Sequence, residues 1–177
     1  NAHGMCFAND GTLWLVDNGD HTVKRYTTDG EHLMTLGTKD VADETSGPFN
    51  KPTDATVSSN GDVYISGWFT GWQGGPTFGG TTFAGYQEGF VAKIDSDGNW
   101  VWAIAIGGSS GSDTEKVHGM VILGTSIYIT GEFSSSTVNF GGYSLTRNSA
   151  GIGSDIFVAK LSSYGSWQWA VEAGGPR

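Results

Sequence analysis

Apolar and polar residues alternate along this chain in short runs with the period of a half-buried β-strand, and the helical period of about 3.6 persists nowhere. The first group of runs predicts strands at about 3–8, 12–17, 22–27 and 31–36. Asn9-Asp10-Gly11, Asn18-Gly19-Asp20 and Asp29-Gly30 join them, and such Asx-Gly pairs supply the positive φ that tight hairpin turns demand. A second group predicts strands near 53–58, 62–69, 88–95 and 99–106, and a third near 117–122, 126–133, 155–161 and 166–172.

The second and third groups are copies of one unit. Val63-Tyr64-Ile65-Ser66-Gly67 returns as Ile127-Tyr128-Ile129-Thr130-Gly131, each followed by an aromatic, Phe69 and Phe133. Phe78-Gly79-Gly80 then matches Phe140-Gly141-Gly142, Phe90-Val91-Ala92-Lys93 matches Phe157-Val158-Ala159-Lys160, and Trp100-Val101-Trp102-Ala103 matches Trp167-Gln168-Trp169-Ala170. Each copy closes on a glycine pair, Gly107-Gly108 and Gly174-Gly175. The first group is a more compact version of the same unit. Four antiparallel strands recurring in order predict an all-β fold, a β-propeller of three four-stranded blades spanning about 1–50, 51–113 and 114–177. A sandwich does not explain the ordered repetition, and a β-solenoid needs much shorter repeats.

Composition sharpens this picture. With 177 residues the chain is long enough to bury a core without staples, and its one cysteine, Cys6, makes no internal bridge. The 29 glycines and 15% charged residues suit tight turns and short strands, while 7 tryptophans argue against disorder. A formal net charge of -9 opposes partners held through phosphates, so nucleic acids and anionic membranes are set aside. No apolar run approaches the roughly 20 residues that span a bilayer. The opening on Asn1 rather than Met suggests a mature, truncated or engineered product.

Residues 1 to about 67 resemble NHL-type propeller blades, and among them the peptidyl-α-hydroxyglycine α-amidating lyases. The likeness rests on His3-Gly4-Met5, Gly11-Thr-Leu-Trp-Leu-Val-Asp17, His21-Thr-Val-Lys24 and Phe49-Asn-Lys-Pro-Thr-Asp54, leading to Asp62-Val-Tyr-Ile65. Residues 61 to 175 resemble instead the bacterial extracellular SBBP repeats, through Val63-Tyr-Ile-Ser-Gly67, Thr77-Phe-Gly-Gly80, Asp155-Ile-Phe-Val-Ala-Lys160 and Trp167-Gln-Trp-Ala170. The SBBP resemblance implies a secreted or surface-exposed setting. The lyase resemblance implies a six-bladed ring with histidine-bound zinc in its channel. His3 matches a zinc-ligand histidine of that family, and His118 in Val117-His118-Gly119-Met120 stands where a second is expected. The family's catalytic tyrosine would follow the strand at 63–67, where this chain carries Trp68 and Phe69, and Asn50 replaces its cysteine. Neither the third zinc histidine nor the catalytic arginine can be placed.

His3, Asp54 and His118 are read as equivalent positions at the entries of the three innermost strands, pointing into the channel mouth. Two imidazoles and a carboxylate suit Zn²⁺ or Fe²⁺. Alternatively, each side chain hydrogen-bonds the backbone of the neighbouring blade and locks the ring. Trp68 and Trp72, in the Gly67–Pro76 loop, are either a stacking platform for a peptide or glycan or plugs of the inter-blade core. His21 and His32 are expected at the surface, and Asp95-Ser-Asp-Gly98 is a hairpin turn rather than a calcium loop.

Two functions from different classes follow. One is a non-catalytic extracellular propeller module serving as scaffold or binding surface. The other is a zinc-dependent lyase-like enzyme with His3 and His118 as ligands. Three blades leave two large apolar faces open, which predicts that two copies close head to tail into one six-bladed ring, first blade on third.

Overall fold

The computed structural model describes residues 2–40, 49–71, 75–108, 113–148 and 153–173. Among them there is no helix, and the strands form three four-stranded antiparallel sheets and two small hairpins. The first sheet runs β1 (Ala2–Phe7), β2 (Thr12–Asp17), β3 (Thr22–Thr27) and β4 (His32–Leu36) in simple order. The second runs β5 (Lys51–Val57), β6 (Val63–Gly71), β9 (Gly85–Ile94) and β10 (Trp100–Ile106). The third runs β11 (Glu115–Leu123), β12 (Ser126–Phe133), β15 (Asp155–Ser162) and β16 (Trp167–Ala173). All twelve anticipated strands are present within a few residues of their expected ends.

The inserted hairpins, β7 (Thr77–Phe78) with β8 (Thr81–Thr82) and β13 (Thr137–Phe140) with β14 (Tyr143–Thr146), were not anticipated as strands. They are too short for a periodicity to show. Their Phe-Gly-Gly landmarks mark them all the same. Phe78 packs 4.9 Å from Phe90 and 5.3 Å from Trp100, ring centre to ring centre. Phe140 repeats this at 4.9 Å from Phe157 and 5.0 Å from Trp167. Gly79 and Gly141, at φ 56° and 60°, turn the hairpins against Trp100 and Trp167; a Cβ at Gly79 would collide with Trp100, and one at Gly141 would press on Trp167.

The sheets stack face to face in chain order, β1 against β5 and β5 against β11. The second sheet is therefore buried on both faces. Its Val63, Ile65, Phe90, Ala92 and Ile94 join Trp14, Val16 and Val23 of the first sheet in one core. Its Tyr64, Val91 and Ile106 join Ile127, Ile129, Phe157, Ala159 and Leu161 of the third in another. This explains why Val63–Gly67 is buried at every position while β12 keeps the alternation of a sheet wet on one side. Short meanders stacked on their innermost strands are consistent with a β-propeller.

Two turn expectations change. Gly11 and Gly30 adopt positive φ, at 79° and 88°, but in the β2–β3 connection the left-handed residue is His21, at φ 60°. His21 is buried rather than at the surface, because its Nδ1–H donates to the Asn50 carbonyl across the sheet junction. Asp95 behaves as a turn residue, its carboxylate accepting the Asp97 and Asn99 amides at 3.0 and 2.8 Å.

Close backbone approach is most severe where the inner strand crosses the glycine of the second strand. A Cβ at Gly131 would run into the Lys116 carbonyl and the Phe157 ring. Gly131→Ala should cost about 2–3 kcal/mol, as overpacking of a filled core does. Gly142→Ala, which meets open space, should be neutral or stabilise by up to about 1 kcal/mol through the unfolded chain. Urea denaturation of the two variants checks the contrast.

Candidate functional site

The inner strands share one irregularity. Register slips between Ala2 and Met5 in β1, between Pro52 and Asp54 in β5, and between Val117 and Gly119 in β11, so each strand carries a bulge at its entry. Past the bulge Met5 faces Leu15, Ala55 faces Ile65, and Met120 faces Ile129. Counting back from these pairs, the equivalent of His3 and His118 in the second sheet is Thr53, and Asp54 is the equivalent of Gly4 and Gly119. The expected His-Asp-His equivalence is thus corrected by one residue. The bulge is common to all three strands; the offset arises because the turn after β11 is one residue shorter, Ile122 pairing with Ile127 where Val57 pairs with Val63 and Phe7 with Leu13.

Asp54 is half-buried at the meeting of three inner strands. One carboxylate oxygen accepts the Met120 amide of the third sheet at 2.8 Å and the other accepts the amide of its own neighbour Ala55 at 2.9 Å. From the other side Gly4 lies so close that a Cβ there would collide with the Asp54 carboxylate and Cα. Burial raises the carboxyl above its usual range, and the two amides partly offset that. Thr53 serves the same junction, its hydroxyl donating to the Val117 carbonyl at 2.7 Å. Both residues follow the locking alternative, tying one sheet to the backbone of the next.

The two histidines are exposed. His118 Nε2 lies 3.6 Å from Glu132, which also receives Lys116 at 3.5 Å. Lys116 in turn sits 5.1 Å above the ring of Trp68. Trp68 is thus half-buried beneath a lysine of the next sheet, between the two roles expected for it. Trp72 lies outside the described residues. Asp54 is not a free carboxylate for a metal, since each of its oxygens already accepts a backbone amide. Among the described residues no three His, Cys, Asp or Glu side chains gather into a group that could hold a metal.

The sequence assigns no structural role to three polar features at the sheet junctions, buried or half-buried. Asn50 fills the family's cysteine position, its carbonyl receiving His21 and its amide donating to Thr70 Oγ1 at 3.1 Å. Glu115 is fully buried and bonded by the Ser135 hydroxyl, and Glu88 lies close enough that the charge of Glu115, after burial itself, raises its carboxyl. Burial likewise leads the rise at Glu115. Cys6 is the third. Burial first, and then the Asp54 charge, push its thiol up to about 11, against a smaller lowering by the Val57 backbone. Beside Asp54 a cavity of about 390 Å³ opens over Gly119, between Val121, Tyr128, Thr130 and Val158.

These features define an all-β protein of stacked four-stranded meanders, propeller-like, whose inner strands are joined by polar side chains at their entries. No family model matches the chain. Over 98 residues it is 30% identical to a probable peptidyl-alpha-hydroxyglycine alpha-amidating lyase of Caenorhabditis elegans, a stretch covering 55% of this chain. The match spans only 23% of that protein's length. It supports a relationship to NHL-type propellers and adds nothing to the SBBP likeness of residues 61–175.

Cys6 should stay unreactive toward a disulfide reagent at pH 8 in the native protein and react fully once the chain is unfolded, since only the thiolate attacks. Glu88 and Glu115 hold their protons more tightly folded than unfolded, so they favour the fold at low pH and that support is lost as pH rises through their raised values. Glu115→Gln should therefore flatten the fall in melting temperature as pH rises above the ordinary glutamate range. An unchanged slope would show that the pair does not titrate as described.

Proposed function

We propose that the chain is a non-catalytic β-propeller repeat module, three blades amounting to half of a six-bladed ring, acting outside the cell as a scaffold or binding surface. The observation that carries this reading is what occupies the place of the lyase tyrosine. Trp68 lies beneath Lys116 and Phe69 is fully buried, so neither offers a phenolic hydroxyl to a substrate. Asp54 and Thr53 are given over to joining sheets. The extracellular setting rests on family resemblance, and a peptide or glycan is the ligand class proposed for the half-buried Trp68.

The amidating-lyase relative favours a second reading, a zinc-dependent lyase-like enzyme on α-hydroxyglycine peptides with His3 and His118 as ligands. Two exposed imidazoles fit a metal in part, and the third ligand would have to come from outside the described residues. A metal bound there would polarise the substrate's hydroxyl or carbonyl oxygen.

Turnover on an α-hydroxyglycine peptide separates the two. The module reading expects none, since loss of an acid/base hydroxyl alone removes about 10²- to 10⁴-fold. It also expects metal-free protein after growth in zinc. Zinc found by elemental analysis and lost in the His3→Ala, His118→Ala double variant, together with turnover, would establish the lyase reading in its place.

A further inference from the structure

Each sheet has two different faces, one receiving the preceding sheet and one presented to the next. The receiving face of the second sheet is Ala55, Val57, Val63 and Ile65, and of the third Met120, Ile122, Ile127 and Ile129, all set into the core clusters. Register puts Met5, Phe7, Leu13 and Leu15 at these positions in the first sheet. There Met5 and Phe7 are 60% and 66% exposed.

The presented faces also repeat. Arg25 lies 5.6 Å over Trp14, Lys93 lies 5.4 Å over Tyr64, and Lys160 lies 5.5 Å over Tyr128. The next sheet covers the first two pairs, leaving Trp14 and Tyr64 buried. Around the third, Val121 and Val171 stand 59% and 52% exposed. An outer-strand side chain completes each junction by packing on the last turn glycine of the following sheet. Met34 lies beside Gly98, and Trp102 lies beside Gly165 with its Nε1–H donating to the Ser163 carbonyl at 3.2 Å. Gly30, the matching glycine of the first sheet, meets nothing. Trp169, the counterpart of Trp102 by register, is on the presented face of the third sheet.

We propose that a second copy of this chain seats its first sheet on the third sheet of the first copy, Trp169 of one packing on the Gly30 turn of the other. The inference rests on the propeller reading. The open presented face carries the same cation, aromatic and tryptophan as the covered one, and the open receiving face carries the same aliphatic positions, so each is built for the other. In the junction between the first two sheets the space over Gly4 is filled by Thr53 and Asp54. The cavity over Gly119 is its equivalent, and it takes His3 and Gly4 of the second copy, the counterparts of Thr53 and Asp54. His118, standing where Thr53 stands, reaches the Ala2 carbonyl of the second copy as Thr53 reaches that of Val117. Two copies give six sheets, within the roughly 4–8 that close a propeller, and the contact occurs twice about a two-fold axis.

Light scattering on the wild-type chain at micromolar concentration should give twice the 18.6 kDa chain mass. Phe7→Glu and Val171→Glu, both at exposed positions, should each halve that mass with an unchanged β-sheet circular dichroism spectrum. Mixing the two variants should restore dimers, because one of the two junctions is then wild type on both sides. A folded wild-type monomer overturns the pairing but leaves the module reading to be decided by turnover and zinc. A dimer that survives both variants overturns the assignment of these faces, and a mass of three or more copies overturns closure by two. The wild-type mass decides the point even if a variant fails to fold.

Discussion

The arrangement of the three sheets depends on how closely their innermost strands can approach at the entry bulges, and that approach is governed by Asp54. A bulge frees a backbone amide from its own ladder, and an amide left dry costs about 1–3 kcal/mol. Asp54 serves two such amides, that of Ala55 beside it and that of Met120 on the next sheet. Gly4 permits the contact from the opposite side by having no side chain to place there. One carboxylate thus sets the spacing of three strands, and Thr53 adds a second tie between the same two sheets.

With the inner edges fixed, the outer strands pack by size. Aromatic clusters do most of this, Phe49, Phe78, Phe90 and Trp100 around the second sheet and Phe140, Phe157 and Trp167 around the third. The inserted hairpins bring Phe78 and Phe140 over the outer strands, and Trp14 and Met34 of the first sheet, whose β2–β3 connection has no such insertion, pack into the same cluster as Phe78. The presented faces keep a cation above an aromatic ring in all three sheets, a pairing that is worth more where the neighbouring sheet excludes water.

This packing bears directly on chemistry. A strand entry in a propeller is a natural place for a ligand, since side chains from several sheets converge there. In this chain the entry positions of the middle sheet are used for cohesion, which leaves the exposed histidines of the flanking sheets without a shared anionic partner among the described residues. The acidic groups Glu88 and Glu115 are raised chiefly by burial, Glu88 also by the charge of Glu115 and Glu115 by that of Asp113. Perturbed titration here reports structural burial as readily as function.

The sequence by itself determined the strands, their order and the duplication, because period-two alternation and Asx-Gly turns are local and each repeat confirms the next. It also marked Phe78 and Phe140 as landmarks, though not the hairpins that carry them. Tertiary structure alone decided which residues are equivalent at the strand entries, since the turn after β11 is one residue shorter than its counterparts and only the pairing register shows it. It decided that His21 is buried, through a left-handed turn and the distant Asn50 carbonyl. It decided that Asp54 joins sheets, because its partner Met120 lies 66 residues away. Local pattern carries strand and turn, whereas the fate of a polar side chain depends on which backbone group from another sheet lies within hydrogen-bonding reach.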